Sequence, residues 1–249
     1  MPRKNSRSDT DIPQTDPENG GLTLNEAAVS DGDSDSTDLR LRLREDTVNG
    51  VLAPGQRLKL EELRSRYGVS VGSLRESLMQ LVSEGFVVAE ANRGFCVAPV
   101  SLKDLNDLTN MRVDLERKAI TLAIENGDDR WEADIVAAYH MLTKLDPANS
   151  SQASRRSWWA RHNDFHEALV AACPSTWLLR FREILFDHSH RYRSLSIQRS
   201  ATPGRLEEHK ILMDAAIARD IPTSAALVER HIRGTTDNVE RWLVSQGAA

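Results

Sequence analysis

EELRSRYGVSVGSLRESLMQLVSEGFVVAEANRGFCVA, residues 61–98, decides how the rest of the chain is read. Glu61 to Tyr67 has the pattern of a short helix, and Gly68-Val69 breaks it. Ser70 then offers a hydroxyl to cap a second helix from about Val71 to Glu84. On that helix Leu74, Leu78, Leu81 and Val82 share one face, with Ser73, Arg75 and Glu76 largely off it. Gly85 closes the helix, Phe86 to Glu90 reads as a strand, Asn92-Arg93-Gly94 as a tight turn and Phe95 to Ala98 as a returning strand. Helix, turn, helix and hairpin in this order predict a winged helix-turn-helix.

Working outward, Leu39, Leu43 and Val48 give a short amphipathic helix from Thr37, closed by Asn49-Gly50, and Ala53-Pro54-Gly55 turns the chain before Leu58 and Leu60. Residues 1–35 are acidic, polar and aperiodic, the composition of a disordered tail. Downstream, Ser101 and Asp104 form a capping box for a long helix reaching Asn126-Gly127. Further helices are predicted over about 130–145, 151–172, 175–198, 204–219 and 223–245, and no strand pattern competes. The expectation is a mainly α protein: a tail (1–35), a winged helix-turn-helix domain (36–100) and an all-helical bundle for ligand binding and dimerisation (101–246).

The net charge of −5 sits unevenly. Residues 1–38 carry three basic and nine acidic groups, whereas residues 39–100 carry nine basic and seven acidic. Phosphate contact depends on the local field, screened over ~8 Å in physiological salt, so overall acidity leaves DNA binding open. The sequence has no apolar run long enough to span a bilayer and no leader pattern at its start, which predicts a cytoplasmic protein without membrane contact. Cys96 and Cys173 lack metal-type spacing and are expected as reduced, buried thiols.

In a helix-turn-helix the N-terminal end of the second helix meets base edges, while amides and basic groups hold phosphates. That end here is Ser70 to Arg75. Arg75 can fork onto guanine or bind phosphate, Ser70 and Ser73 can donate to phosphate oxygens, and Gly72 offers a bare backbone amide. Arg93 and Gly94 at the hairpin tip suit an adjacent groove, and Arg64 and Arg66 the DNA backbone. The run Pro54-Gly55 to Leu60, Tyr67-Gly68-Val69-Ser70, Leu74-Arg75-Glu76-Ser77-Leu78, Leu81, Glu84-Gly85-Phe86 and Arg93-Gly94-Phe95 resembles the GntR superfamily DNA-binding domain. Val71-Gly72 departs from the family's usual polar pair after the capping serine.

His162 and His166 stand four apart on one predicted helix, with His209 and His231 on two later ones. Imidazoles from facing helices can converge on zinc or a similar divalent ion, although such a pair by itself is more often a surface or hydrogen-bonded pair. His188 and His190 face different directions on their helix and, with His140, are expected to be structural or exposed. Residues 101–245 resemble the FCD effector domain of the FadR branch through Leu105 to Glu116, Asn163-Asp164-Phe165-His166-Glu167-Ala168-Leu169, Glu208-His209 and Glu229-Arg230-His231. The resemblance implies a divalent metal held by His166, His209 and His231, with His162 where the family has Asp. Trp131-Glu132-Ala133-Asp134, Leu142-Thr143-Lys144-Leu145, Arg161-His162, Leu185-Phe186-Asp187 and Arg191-Tyr192-Arg193 are similar to glutarate-responsive repressors of that branch. This implies a repressor released by a small carboxylate such as a short dicarboxylate, and the expected assembly is a homodimer whose two winged domains grip half-sites of a near-palindrome. Arg112 or Arg191 would fork onto a carboxylate, Arg193 would be solvated, and Trp158 and Trp159 would lie in core or interface. The rival readings are a metal-dependent enzyme acting on a small carboxylic acid, for which no paired carboxylate or nucleophile motif stands beside the histidines although Asp164 and Glu167 are near in sequence, and a DNA binder with a non-sensing dimerisation domain.

Overall fold

The computed structural model describes residues 31–145, 152–196 and 205–245. Most of the expected disordered tail, residues 1–30, lies outside the described residues. Its last part is corrected: helix α1 runs Asp31–Val48, so residues 31–35 are helical. Leu39 and Leu43 anchor the later turns of α1 in the core.

The winged unit follows the order read from the sequence. After α1 come β1 (Arg57–Leu58), α2 (Leu60–Tyr67), α3 (Val71–Ser83), β2 (Val87–Glu90) and β3 (Gly94–Val97). Gly68 at φ +71° ends α2, and Ser70 Oγ accepts from Ser73 N at 3.1 Å to start α3. The hairpin tip uses Asn92 and Gly94 at positive φ. β1 adds to the far edge of β3, with Arg57 opposite Cys96, so the sheet order is β1-β3-β2. Leu43, Leu74, Leu78, Leu81, Phe86 and Val97 are sealed from solvent in one core. Truncating Leu74 or Leu78 to Ala there costs about 2–5 kcal/mol.

The helical unit comprises α4 (Leu102–Asn126), α5 (Asp129–Thr143), α6 (Gln152–Val170), α7 (Thr176–Ser196), α8 (Arg205–Ile217) and α9 (Ile221–Ser245). Ser101 and Asp128 cap α4 and α5 through Asp104 N and Trp131 N. The expected break at Pro222 falls inside the first turn of α9, where proline has no helical N–H to lose. Phe165, Ile135, Leu142, Ala123 and Ala216 centre the second core. Cys96 and Cys173 are buried free thiols.

Helix α7 joins the two units. Asp187 pairs with Arg44, which also holds Glu84 Oε2 at 3.2 Å. His188 Nε2 lies 2.9 Å from the Glu84 carbonyl, and its ring stacks on Phe86 at 4.4 Å. Ser194 donates to the Val48 carbonyl and Arg191 to that of Ala98. Gly50 is required by this packing, because a Cβ there would come within 2.9 Å of Leu195 Cδ2, and its φ is +72°.

Candidate nucleic-acid interface and imidazole pocket

The hydrophobic side of α3 is turned into the winged core, which leaves Gly72, Arg75, Glu76 and Met79 exposed. Ser70 is exposed and Ser73 half-buried, their hydroxyls 3.0 Å apart. Arg93 and Gly94 are exposed at the hairpin tip. Of the nine lysines and arginines between residues 39 and 100, seven sit within 4.0 Å of a carboxylate. Arg75 and Arg93 are the two that do not meet one among the described residues. Arg64 is exposed but held by Glu61 at 3.1 Å, and Arg66 by Asp46 at 3.3 Å. An unpaired surface arginine is the form in which a phosphate or guanine can take up its charge without breaking an existing contact.

In the helical unit α6, α8 and α9 bring His162, His166, His209 and His231 together, one ligand atom of each within 4.8 Å of all the others. The Nε2 atoms of His162 and His166 are 3.2 Å apart. Burial, reinforced by the neighbouring imidazoles, holds both rings well below their usual pKa, so they are neutral with lone pairs free to ligate. His162 Nδ1 is buried without a hydrogen-bond partner. Tetrahedral zinc with Zn–N bonds of ~2.0–2.1 Å sets its ligands roughly 3.3 Å apart, so this donor set fits a divalent ion after a small contraction. Glu208 Oε2 lies 3.5 Å from His231 Nδ1, the kind of outer partner that fixes a ligand's tautomer.

Beside the imidazoles lies a cleft lined by Arg112, Trp159, Phe186, Ser189, His190 and Arg193. Its volume is about 10 Å³, room for one water molecule. Arg112 is buried, bonds Ser189 Oγ at 2.9 Å and shares Glu116 with Arg182, at 3.5 and 2.7 Å. Among the described residues its Nε has no acceptor, and burial pulls the guanidinium below its usual pKa against the pull of Glu116. Arg182 also donates to the His166 carbonyl, tying this charge cluster to a ligand helix.

Two expectations are corrected here. Arg191 does not line the cleft, because its guanidinium reaches the Ala98 carbonyl between the two units. Arg193 is not solvated; it is 5 % exposed, with its guanidinium 4.1 Å from the Trp159 ring centre. Two helical positions span about 200°, so the two arginines leave α7 on opposite sides. His190 stacks on the same Trp159 at 4.4 Å, and burial pushes its pKa down to about 3. Its pairing with Arg193 on one face was legible only as a spacing of three. His188 is structural, at the junction with the winged unit, and His140 is exposed.

The chain matches the family model described as bacterial regulatory proteins, gntR family, over residues 36–97, and the FCD domain over residues 107–234. It is 41% identical over 204 residues to the uncharacterized HTH-type transcriptional regulator BphR of Paraburkholderia xenovorans (strain LB400), covering 81% of this chain and 83% of the relative. It is 37% identical over 195 residues to the HTH-type transcriptional repressor GlaR of Escherichia coli (strain K12), covering 76% and 89%. The solved structure of E. coli McbR/YncC superposes with a TM-score of 0.68 at 20% identity over 84% of this chain and 98% of that one, a likeness of fold.

Proposed function

This chain belongs to the GntR family of bacterial regulatory proteins and carries an FCD domain, and from that premise we propose a DNA-binding repressor released by a small dicarboxylate. Family and relatives make it a transcriptional regulator and not an enzyme. No helix among the described residues is long and apolar enough to cross a membrane, in keeping with a cytoplasmic regulator.

The observation that carries the DNA reading is the pair of unpartnered arginines. Arg75 reaches base edges from the first turns of α3, Arg93 and Gly94 enter the neighbouring groove, and Ser70, Gly72 and Ser73 position phosphates. Arg64 contributes to the backbone only by exchanging Glu61 for phosphate.

The effector reading rests on charge. Arg112 and Arg193 both line the cleft, and Arg112 shares the carboxylate of Glu116 with the buried Arg182 behind it. Two arginines on one cleft beside a cluster of imidazoles suit a carboxylate ligand, with glutarate the first candidate. His162, His166, His209 and His231 would hold a divalent ion, zinc by ligand type, which supplies uncompensated positive charge and positions for one carboxylate. Arg112 takes the other carboxylate through its free Nε, and Arg193 replaces Arg191 as the second arginine.

Release follows from the two sides of α7. Phe186, Ser189, His190 and Arg193 form one wall of a cleft too small for a dicarboxylate, and we assign the movement that admits the ligand to their helix. Asp187, His188, Arg191 and Ser194, on its other side, hold the winged unit. An effector favouring the displaced helix therefore disfavours the docked winged unit by its difference in affinity.

A second copy supplies the other half-site. Trp177, Phe181 and Ile184 form an exposed stripe on α7, flanked by Arg180 and Glu183. An antiparallel copy of α7 sets Arg180 against the partner's glutamate and vice versa, the self-complementarity a two-fold interface needs. Two winged units then meet half-sites roughly one DNA turn, ~34 Å, apart.

Fluorescence anisotropy with the DNA upstream of the protein's own coding region tests the reading. Binding should exceed that to random DNA and fall as glutarate is added. Equal affinity for both DNAs would reject specific recognition; specific binding indifferent to every short dicarboxylate would reject the effector.

A further inference from the structure

Gly72 is an anomaly that the fold does not explain. It stands in the first turn of α3, where glycine costs up to about 1 kcal/mol against alanine. A Cβ there would meet nothing closer than Ser70 Oγ at 3.6 Å, ordinary contact distance, and no positive φ calls for glycine. The missing side chain is therefore free to serve an approach from outside.

The exposed residues of α3 point the same way. Gly72, Arg75, Glu76 and Met79 stand at i, i+3, i+4 and i+7, a single stripe. From Gly72 to Met79 it rises about 10 Å at ~1.5 Å per residue, close to three base steps of ~3.4 Å. Met79 is 53% exposed, on the side of α3 away from the core leucines. Glu76 has no basic residue three or four positions away, and among the described residues it forms no ion pair. An unpaired carboxylate on a surface that meets a polyanion is repelled by every phosphate, unless a donor in the groove compensates. The major groove offers the amino groups of cytosine and adenine as donors; adenine sets its N7 acceptor beside the amino group, which repels a carboxylate and leaves cytosine the better match, and the apolar feature open to a thioether is the thymine methyl.

We infer that α3 reads three features of its operator: Arg75 a guanine, Glu76 a cytosine and Met79 a thymine methyl, with Gly72 letting the helix sit deep enough for its second turn to reach the bases. This rests on the proposal that α3 enters the major groove. Serine 70 and its hydroxyl partner Ser73 hold the helix start at the phosphates, and the lack of bulk at Gly72 brings the positions one turn further along into range.

Binding-site selection from a randomised duplex library tests the inference on the full chain, comparing wild type with Glu76→Gln, Glu76→Ala, Met79→Ala and Gly72→Ala. Anisotropy on the selected duplex and its single-base variants follows. Wild type should select cytosine at one position of each half-site; Glu76→Gln should move that preference toward adenine, and Glu76→Ala should lower discrimination there about tenfold or more. Met79→Ala should relax one thymine position by a smaller factor. Gly72→Ala should melt at a higher temperature yet bind the selected duplex at least tenfold more weakly, which excludes misfolding as the cause. If Glu76→Ala binds every duplex equally or more tightly with the same base preferences, or Gly72→Ala binds as wild type does, the inference fails. Loss of all sequence preference in wild type would instead reject the groove assignment beneath it.

Discussion

Arginine is used in opposite ways at the two ends of this molecule. On the winged unit Arg75 and Arg93 stand exposed and without carboxylate partners, among seven other cations that are all neutralised. In the helical unit Arg112, Arg182 and Arg193 are buried, and each is braced by an acid or an aromatic ring. Under the proposed function the difference follows from what each site would meet. DNA brings its own charge and solvent, so a reading arginine is best left available. A small anion in the cleft would be taken fully out of water, and arginines desolvated in advance would meet that cost in folding rather than in ligand binding.

The contrast predicts a split between stability and affinity. Glu116→Ala strips the single acid from two buried arginines and should lower stability by about 3–5 kcal/mol in urea unfolding, with the loss confined to the helical unit. An unchanged midpoint would mean that these guanidinium groups are hydrated rather than paired. Phe181→Glu places a charge on the α7 stripe and should convert the proposed dimer to monomer in analytical ultracentrifugation, weakening operator binding at least tenfold and removing the dependence of the melting temperature on protein concentration. A dimer surviving the change would put the two-fold axis elsewhere. His188→Ala should have the smallest effect, removing a ring stack worth about 1 kcal/mol and a contact to Glu84. Calorimetric affinity for the effector should stay within about twofold while the effector's power to release DNA falls several-fold; equal loss of both would mean that His188 shapes the pocket itself.

The winged unit was legible because its signals are short-range. Ser70 before an apolar period, glycines at 68, 85 and 94 and an Asn-Arg-Gly tip each state a local conformation, and the backbone adopts all of them. β1 escaped notice because two residues carry no period, and only β3, nearly forty positions away, makes them a strand. The four histidines were legible as a cluster through spacing joined to family resemblance, and their convergence matches that expectation. Arg191 and Arg193 were not separable. Both follow the same helical period, and which side of α7 faces the cleft is decided by Asp187, His188 and Ser194 docking on α1 and the end of α3. The start of α1 at Asp31 was obscured for a related reason: composition alone reads an acidic run as tail, whether or not it opens a helix.

Arg75→Ala, measured by anisotropy on the operator and on random duplex alongside a thermal melt, tests the central claim most directly. Operator affinity should fall about 10- to 100-fold, toward the level of random DNA, while the melting temperature stays within a degree or two. Unchanged operator affinity in a fully folded variant would contradict the account, because the one exposed, unpaired arginine on α3 would then have no part in DNA recognition.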